Sequence, residues 1–134
     1  MTIFKYELGT AVAFNPSLMV IAENVNSFPG IKTGKDYLFH SKNLLKQSPM
    51  DYTFDKEIFE RTIGESKFHV MEAKLNLMET IITQEYMSTI SKGFSLAIVI
   101  SYTTEDEKSE LILIIDKMKV KSIKKIVKTH TVLG

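Results

Sequence analysis

The stretch from Thr80 to Met118 restricts the fold more than any other part of this sequence. It begins with the β-type run TIITQEYMSTIS, and Lys92-Gly93 then supplies a turn into the apolar run FSLAIVISY. In this second run the residues at even positions, from Phe94 to Tyr102, are large and apolar, whereas the intervening residues are smaller. A continuous apolar run of this length is typical of a strand buried on both faces. We therefore predict a hairpin whose second strand lies at the centre of a sheet.

A helix is predicted immediately after this hairpin. Thr104 and Glu107 have the spacing of a capping box, in which each side chain satisfies a backbone N–H group of the other residue. Glu105 and Asp106 fall in the first turn, where the helix dipole favours negative charge. An apolar stripe at helical spacing follows, formed by Leu111, Ile114, Ile115 and Met118. The pattern indicates a helix that covers one face of the sheet.

The first half of the chain contains a predicted hairpin and a predicted helix. The runs GTAVAF and SLMVIAENV flank Asn15-Pro16, a turn-forming dipeptide, so we expect them to pair as strands. Thr33 stands three residues before Asp36 and predicts the start of a helix through KDYLFHSKNLLKQ. Ser48-Pro49 should end this helix, because the residue before a proline disfavours the helical conformation.

Two more strands are predicted between this helix and Thr80. YTFDKEIFERTI is mixed in polarity and indicates an exposed or edge strand, and Gly64-Glu65 turns it into SKFHVMEAKLNL. The connections are too short for parallel pairing, which needs a crossover of about a dozen residues or more. The predicted fold class is therefore α+β. An antiparallel sheet is flanked by helices in an α/β/α sandwich, in the order β-β-α-β-β-β-β-α.

Composition excludes several classes of protein. A chain of 134 residues corresponds to about one domain, and without cysteine it has neither disulfides nor thiol chemistry. No window of about 18 apolar residues is present, so no membrane span is predicted. The N-terminal residues lack the pattern of a signal peptide. We expect a cytoplasmic protein if Met1 is the native start, and an exported protein with a removed leader otherwise.

Positive charge is concentrated at the C-terminal end. The lysines from Lys117 onward contribute +6 with no acidic residue after Asp116, whereas residues 1–116 carry −5. We therefore divide the chain into a single α+β domain, residues 1–118, and a basic tail, residues 119–134. The tail offers an interaction surface formed by Lys119, Lys121, Lys124, Lys125 and Lys128. An anionic membrane surface or nucleic acid would suit it, but docking on its own acidic domain, within one chain or in a homodimer, is the favoured hypothesis.

Three titratable residues are the candidates for a catalytic role, namely Glu72, Glu85 and His69. If the hairpin closes around Met78-Glu79, Glu72 lies opposite Glu85, and the pKa of one carboxyl group in such a pair would rise. A register shifted by two residues instead places Lys74 opposite Glu85 in an ordinary cross-strand ion pair. The sequence favours this second interpretation.

No motif for a metal or a cofactor is present. The three histidines lie far apart and lack the spacing of metal ligands. The run GIKTGKD has three residues between its glycines instead of the four of a phosphate loop, and Asp36 follows its lysine. We therefore expect no metal and no cofactor, and the sequence favours a protein that is not an enzyme without deciding the question.

The order of the predicted elements resembles a known fold. FERTIGESKFHVMEAKL and ITQEYMSTISKGFSLAIVISYTTEDEKSELILIIDKMKV resemble the second half of small domains with the PsbP-like or Mog-type α/β/α fold, and SLMVIAENV with DYLFHSKNLL resembles its early strand and first helix. This resemblance rests on element order and hydrophobic pattern. The fold includes photosystem extrinsic subunits, a Ran-binding nuclear transport factor, secretion-associated chaperones and many small bacterial proteins of unknown function.

The resemblance implies binding of a partner instead of catalysis, and it carries no family-wide functional residue to this chain. We therefore expect a non-enzymatic binding or accessory domain that presents a sheet face or edge to a protein partner. The alternative is a small-molecule-binding protein or hydrolase with a pocket between sheet and helices. Met19, Met71 and Met87, all on predicted strands, would line such a pocket.

Overall fold

A computed structural model describes residues 2–4 and 15–118 of the chain. These residues form seven strands and two helices. In chain order they are β1 (Thr2–Phe4), β2 (Ser17–Asn24), α1 (Gly34–Gln47), β3 (Asp51–Thr53), β4 (Phe59–Ile63), β5 (Ser66–Leu77), β6 (Thr80–Ser91), β7 (Phe94–Tyr102) and α2 (Glu105–Lys117).

The described strands belong to one antiparallel sheet. Its order is β1-β2-β7-β6-β5-β3, and β4 pairs with β5 on the same edge as β3. The apolar run Phe94–Tyr102 lies between β2 and β6, so the predicted central strand is confirmed. The predicted α+β class, an antiparallel sheet with flanking helices, is confirmed as well.

The two helices cover opposite faces of this sheet. On one face Leu111 and Ile115 of α2 pack with Ile98 and Ile100, and on the other face Tyr37 and Leu38 of α1 pack around Ala97, Met71 and their neighbours. Successive residues of a strand alternate between faces, so the even and odd positions of β7 belong to different cores. The small residues of β7 therefore face the α1 layer.

Both predicted helix starts are confirmed by their hydrogen bonds. The Thr33 hydroxyl accepts a bond from the Asp36 N–H at 3.1 Å, and the Asp36 carboxylate accepts one from the Thr33 N–H at 3.1 Å. Thr104 and Glu107 make the same reciprocal pair at the start of α2. These bonds satisfy N–H groups that the first helical turn leaves without intrahelical partners.

The predicted edge strand is two strands. β3 pairs with the C-terminal part of β5 and β4 with its N-terminal part, and residues 54–58 between them leave the ladder. Phe54 and Ile58 pack in the α1 layer, whereas Asp55 and Lys56 form ion pairs with Lys74 and Glu72. The side chains of this segment thus reach both faces, and its backbone bends around the sheet edge. The single strand predicted from YTFDKEIFERTI is thus replaced by two, and among the described residues β1 (Thr2–Phe4) is a further strand that was not predicted.

Parts of the prediction fall outside the described residues. The run GTAVAF and the basic tail, residues 119–134, belong to this group, and the domain boundary at residue 118 stays a prediction. The described partner of β2 on its outer side is β1, with Thr2 opposite Met19. Neither of the described helices has the length and apolar character that a membrane span requires.

Candidate functional site

The two candidate glutamates lie side by side in the structure. β5 and β6 close around Met78-Glu79, and Glu72 pairs directly with Glu85. Lys74 is opposite Thr83, so the favoured interpretation of a Lys74–Glu85 pair is wrong. Glu85 is 1% exposed and Glu72 is 6% exposed. Two carboxylates are therefore buried together on the α2 face of the sheet.

Glu85 is held by three side chains from three different elements. Its Oε1 accepts a bond from Arg61 Nη1 at 2.6 Å, and its Oε2 lies 3.2 Å from Lys108 Nζ. The Tyr102 hydroxyl donates to the same Oε2 at 3.0 Å. Arg61 belongs to β4, Tyr102 to β7 and Lys108 to α2. Both oxygens of this carboxylate are thus engaged, and the bonds join the sheet edge to the helix.

Glu72 is held by lysines at the outer side of the cluster. Lys56 Nζ lies 3.2 Å from one of its oxygens, and Lys74 Nζ lies 4.0 Å from the other. Lys74 also contacts Asp55 at 3.1 Å. We call this set of charged side chains and Tyr102 the ionic cluster. It consists of Asp55, Lys56, Arg61, Glu72, Lys74, Glu85, Tyr102 and Lys108.

The charges of the ionic cluster keep Glu85 ionised. Burial acts to raise the pKa of Glu85, but the hydrogen bond and charge of Arg61, together with Lys108, outweigh burial and hold that pKa below its usual value. Burial and the neighbouring Glu85 carboxylate raise the pKa of Tyr102, so its hydroxyl stays protonated and acts as a donor. The rise in a carboxyl pKa that an isolated acidic pair would produce is therefore not found at Glu85.

The third candidate, His69, lies on the opposite face of the sheet. It is an odd-numbered residue of β5, whereas Glu72 is even-numbered, so their side chains point to different faces. His69 pairs across strands with Ser88 and Glu60, and its Nε2 lies 3.7 Å from a Glu60 oxygen. The three candidates therefore do not form one site. Residues 2–4 and 15–118 contain no group of three metal-ligating side chains.

The geometry suits the ionic cluster to a structural role. A general base needs an oxygen that is open to a substrate proton, whereas both oxygens of Glu85 already accept bonds from the protein. The cluster instead ties β4, β6, β7 and α2 to one another.

Arg61, Lys108 and Tyr102 were missed in the sequence because they come from distant elements. The candidate methionines are also separated, since Met71 packs with α1 and Met87 with α2.

A second feature is an apolar surface at one end of the sheet. Met78 is 92% exposed at the turn between β5 and β6, and Leu77 and Ile81 beside it are 42% and 54% exposed. Met50, 42% exposed, precedes β3, whose Asp51 pairs with Asn76 of the same hairpin. We call Met50, Leu77, Met78 and Ile81 the apolar tip.

The backbone of the apolar tip adopts an unfavourable conformation. Met78 and Glu79 have φ values of 49° and 69°, in the left-handed region. The turn from β6 to β7 has the same length and similar angles, 53° at Lys92 and 79° at Gly93, but it contains a glycine. Two-residue turns with positive φ at both positions favour asparagine and glycine. The turn at the apolar tip contains neither.

Comparison with solved structures shows what the fold resembles. The protein PA94 from Pseudomonas aeruginosa, described as a putative regulator of unknown function, is similar with a TM-score of 0.61 over 89% of this chain and 82% of that chain, at 7% sequence identity. Cyanobacterial PsbP (CyanoP) from Synechocystis sp. PCC 6803 gives a TM-score of 0.49 over 86% of this chain and 76% of that chain, at 16% identity. No family model and no curated protein sequence matches the chain.

These comparisons define a class of fold. The chain is an α+β protein in which one antiparallel sheet lies between two helices, and it shares this architecture with PA94. The sequence predicted a PsbP-like or Mog-type fold; a PsbP is among the structures found, at a TM-score of 0.49, and the Mog-type part stays a prediction. At 7% identity the likeness to PA94 concerns the fold alone.

Proposed function

We propose that this protein is an accessory domain without catalytic activity that binds a protein partner through the apolar tip. The four side chains of the tip are exposed at one end of the sheet. Leu77 and Ile81 belong to opposite faces of the sheet, so the tip presents exposed apolar side chains on both sides of the β5–β6 turn. A concentration of exposed apolar side chains is a feature of interaction sites in soluble proteins. Methionine suits such a surface because its unbranched side chain adapts to different partners.

The conformation of Met78 and Glu79 carries this proposal. A left-handed conformation costs a residue with a Cβ atom roughly 1–2 kcal/mol, and both residues of this turn adopt it. Asparagine and glycine would make the same turn at lower cost. Local strain of this kind is concentrated at functional positions. The presence of a methionine, Met78, in a strained and exposed turn is consistent with a contact residue.

The two faces of the sheet and its β3–β4 edge suit a partner less well than the apolar tip. A helix packs on each face, and the β3–β4 edge is interrupted at residues 54–58. Glu60 of β4 is exposed and pairs with Lys67 at 3.3 Å, and charged side chains of this kind discourage the addition of a further strand. The proposal therefore moves the contact from the face or edge predicted from sequence to the end of the sheet.

The charges beside the apolar tip suggest the chemistry of the partner. Asp51 and Glu79 are both exposed next to the tip, and the nearest described lysine of β5, Lys74, is paired with Asp55. Electrostatic complementarity then favours a protein surface with apolar side chains bordered by lysine or arginine. An adaptable apolar centre within a charged rim is the usual anatomy of a protein interface.

Site-specific photocrosslinking in the source cells tests the proposal. A photoreactive residue is placed at Met78 in one variant and at Lys92 in another, since both are exposed turn residues with positive φ at opposite ends of β6. We expect one protein to be crosslinked from position 78 and not from position 92. That protein is then identified, purified and titrated with the intact chain.

The titration decides whether the apolar tip provides the affinity. Ile81→Ser in the full chain should weaken binding about tenfold or more, whereas Leu44→Ser, at an exposed leucine on α1, should leave it unchanged. Equal crosslinking from both positions, or equal affinity of the two variants, would overturn the proposal. A substrate turned over by the purified chain would favour the hydrolase alternative instead.

A further inference from the structure

The solvent-facing side of α2 combines acidic residues with one exposed leucine. Leu111 and Ile115 of this helix are buried against the sheet, whereas Leu113 is 57% exposed. The remaining exposed residues of the helix are mainly acidic or small. We call this side the outer face of α2, formed by Glu105, Asp106, Ser109, Glu110, Leu113, Asp116 and Lys117.

We infer that the outer face of α2 is the docking surface for the basic tail of the same chain, residues 119–134. This inference does not depend on the apolar tip, because the tip belongs to the β5–β6 hairpin and its neighbour β3. The tail lies outside the described residues, so the argument uses its sequence, its point of attachment and the surface that α2 presents.

Charge and apolar pattern match between the two segments. Four carboxylates and one lysine, Lys117, give the outer face of α2 a net charge of −3, and the tail has five lysines and no acidic residue. Four apolar residues of the tail, Val120, Ile123, Ile126 and Val127, stand at positions i, i+3, i+6 and i+7. In a helical tail these residues would form one apolar strip bordered by lysines. The strip would contact Leu113, and the lysines would contact the carboxylates around it on α2.

The end of α2 allows the chain to reverse direction. Met118 has φ −75° and ψ 111°, which is extended backbone, and its N–H donates to the carbonyl groups of Ile114 and Ile115. The helix therefore ends at Lys117, and the backbone of Met118 already departs from the helical conformation. The 13 residues of α2 span about 20 Å at 1.5 Å per residue, and the tail has enough residues to follow this length in a helical conformation.

Attachment to α2 gives the tail of the same chain an advantage over competing ligands. A segment joined by a short connection has an effective concentration in the millimolar range, so weak contacts are sufficient for docking. The contacts between lysines and carboxylates are exposed to solvent and should weaken as salt is added. Docking is therefore expected to depend on both Leu113 and ionic strength.

Limited trypsin digestion of the full chain tests this inference, because the tail lysines are cleavage sites. The test variant is Leu113→Gln/Asp116→Asn, which removes the apolar centre and one carboxylate. Glutamine is a good helix former and asparagine is similar to aspartate in helix propensity, so the helix should be retained. The control is Leu44→Gln in α1, where the leucine is 55% exposed. Urea unfolding of each variant verifies that the fold is retained.

We expect slow cleavage of the tail in the wild-type chain at low salt. The double variant should be cleaved in the tail about tenfold faster, which corresponds to a tenfold change in the docking equilibrium, and the Leu44→Gln control should resemble the wild type. High salt should accelerate cleavage of the wild type and have less effect on the double variant.

Four results would overturn the inference. The first is wild-type cleavage as fast as that of a synthetic peptide of residues 119–134. The second is equal cleavage of the double variant and the wild type. The third is protection that rises with protein concentration, which would assign the tail to a second copy. The fourth is protection that requires added phosphatidylglycerol vesicles, which would assign the tail to a membrane surface.

Discussion

Glu72 and Glu85 face each other across β5 and β6, yet each carboxylate is bound by its own cations. Arg61 and Lys108 contact Glu85, whereas Lys56 contacts Glu72. Two like charges at directly opposed positions normally destabilise a sheet. Here the surrounding cations offset that repulsion, and the same contacts attach α2 and the edge strand β4 to the centre of the sheet.

Glu85→Gln should destabilise the protein by about 2–4 kcal/mol, because it leaves the charges of Arg61 and Lys108 without their buried partner. This destabilisation is toward the low end of what the loss of one partner of a buried ion pair costs, because the side chains of Arg61 and Lys108 are about one quarter exposed. Urea unfolding at neutral pH measures the change. The control is Glu60→Gln, which removes an exposed pair with Lys67 and should cost less than about 1 kcal/mol. Similar costs for the two variants would contradict the structural role of the ionic cluster.

The contribution of Glu85 to stability should disappear in acid. Its pKa in the folded protein lies below the ordinary value of 4.5, so the unfolded chain binds the proton more tightly. The stabilisation is therefore fully present above that ordinary value and is lost as the pH falls through the folded pKa. The difference in free energy of unfolding between the wild type and Glu85→Gln should shrink over this range. A difference that stays constant from neutral pH into this range would mean that Glu85 is not ionised in the fold.

Met78→Asn/Glu79→Gly should stabilise the protein. The replacement suits a turn with positive φ at both positions, and the gain should be about 1 kcal/mol after the greater flexibility of glycine in the unfolded chain is included. Thermal unfolding should show a rise in Tm of a few degrees. Lys92→Asn is the matched control and should have a smaller effect, because that turn already contains Gly93. The stabilised variant should also bind the crosslinked partner less tightly. Unchanged binding would show that the strained conformation of the turn is not required for binding.

Gly34→Ala should be strongly destabilising. A Cβ atom at Gly34 would overlap the backbone oxygen of Ser88 on β6 and lie 3.2 Å from His69 Nδ1, so α1 would have to move away from the sheet. The expected cost is about 1–3 kcal/mol, although alanine is the better helix former. Gly30→Ala is the matched control, since a Cβ atom there meets nothing within 4 Å. Equal unfolding midpoints for the two variants would show that the helix does not approach β6 so closely.

Local signals in the sequence predicted the helices and the central hairpins well. A capping box is completed within four residues, so Thr33-Asp36 and Thr104-Glu107 are recognisable without knowledge of the fold. The Glu72–Glu85 register was also calculable from the two-residue turn. The register that the sequence favoured would have placed Thr80 in the turn, and a β-branched residue is strained at positive φ.

Signals that depend on distant residues were missed or misjudged. His69 was grouped with Glu72, although their odd separation along one strand already indicates opposite faces. The break between β3 and β4 depends on contacts of Asp55 and Lys56 with β5, which no local pattern records. Arg61 and Lys108 reach Glu85 only once β4 has paired and α2 has docked. The apolar tip was not predicted, because no local pattern in the sequence records whether Met78 and Ile81 remain exposed in the fold.

The sheet order has a consequence for how the chain assembles. β5, β6 and β7 are joined by two-residue turns, and hairpins of this kind form within about 1–10 μs. Leu18 of β2, in contrast, pairs with Ile100 of β7, about 80 residues later. At a translation rate of about 5–20 residues per second, β2 leaves the ribosome several seconds before its neighbour β7 exists. The strand that is made early is therefore incorporated late, after the hairpins that follow it in the chain have formed.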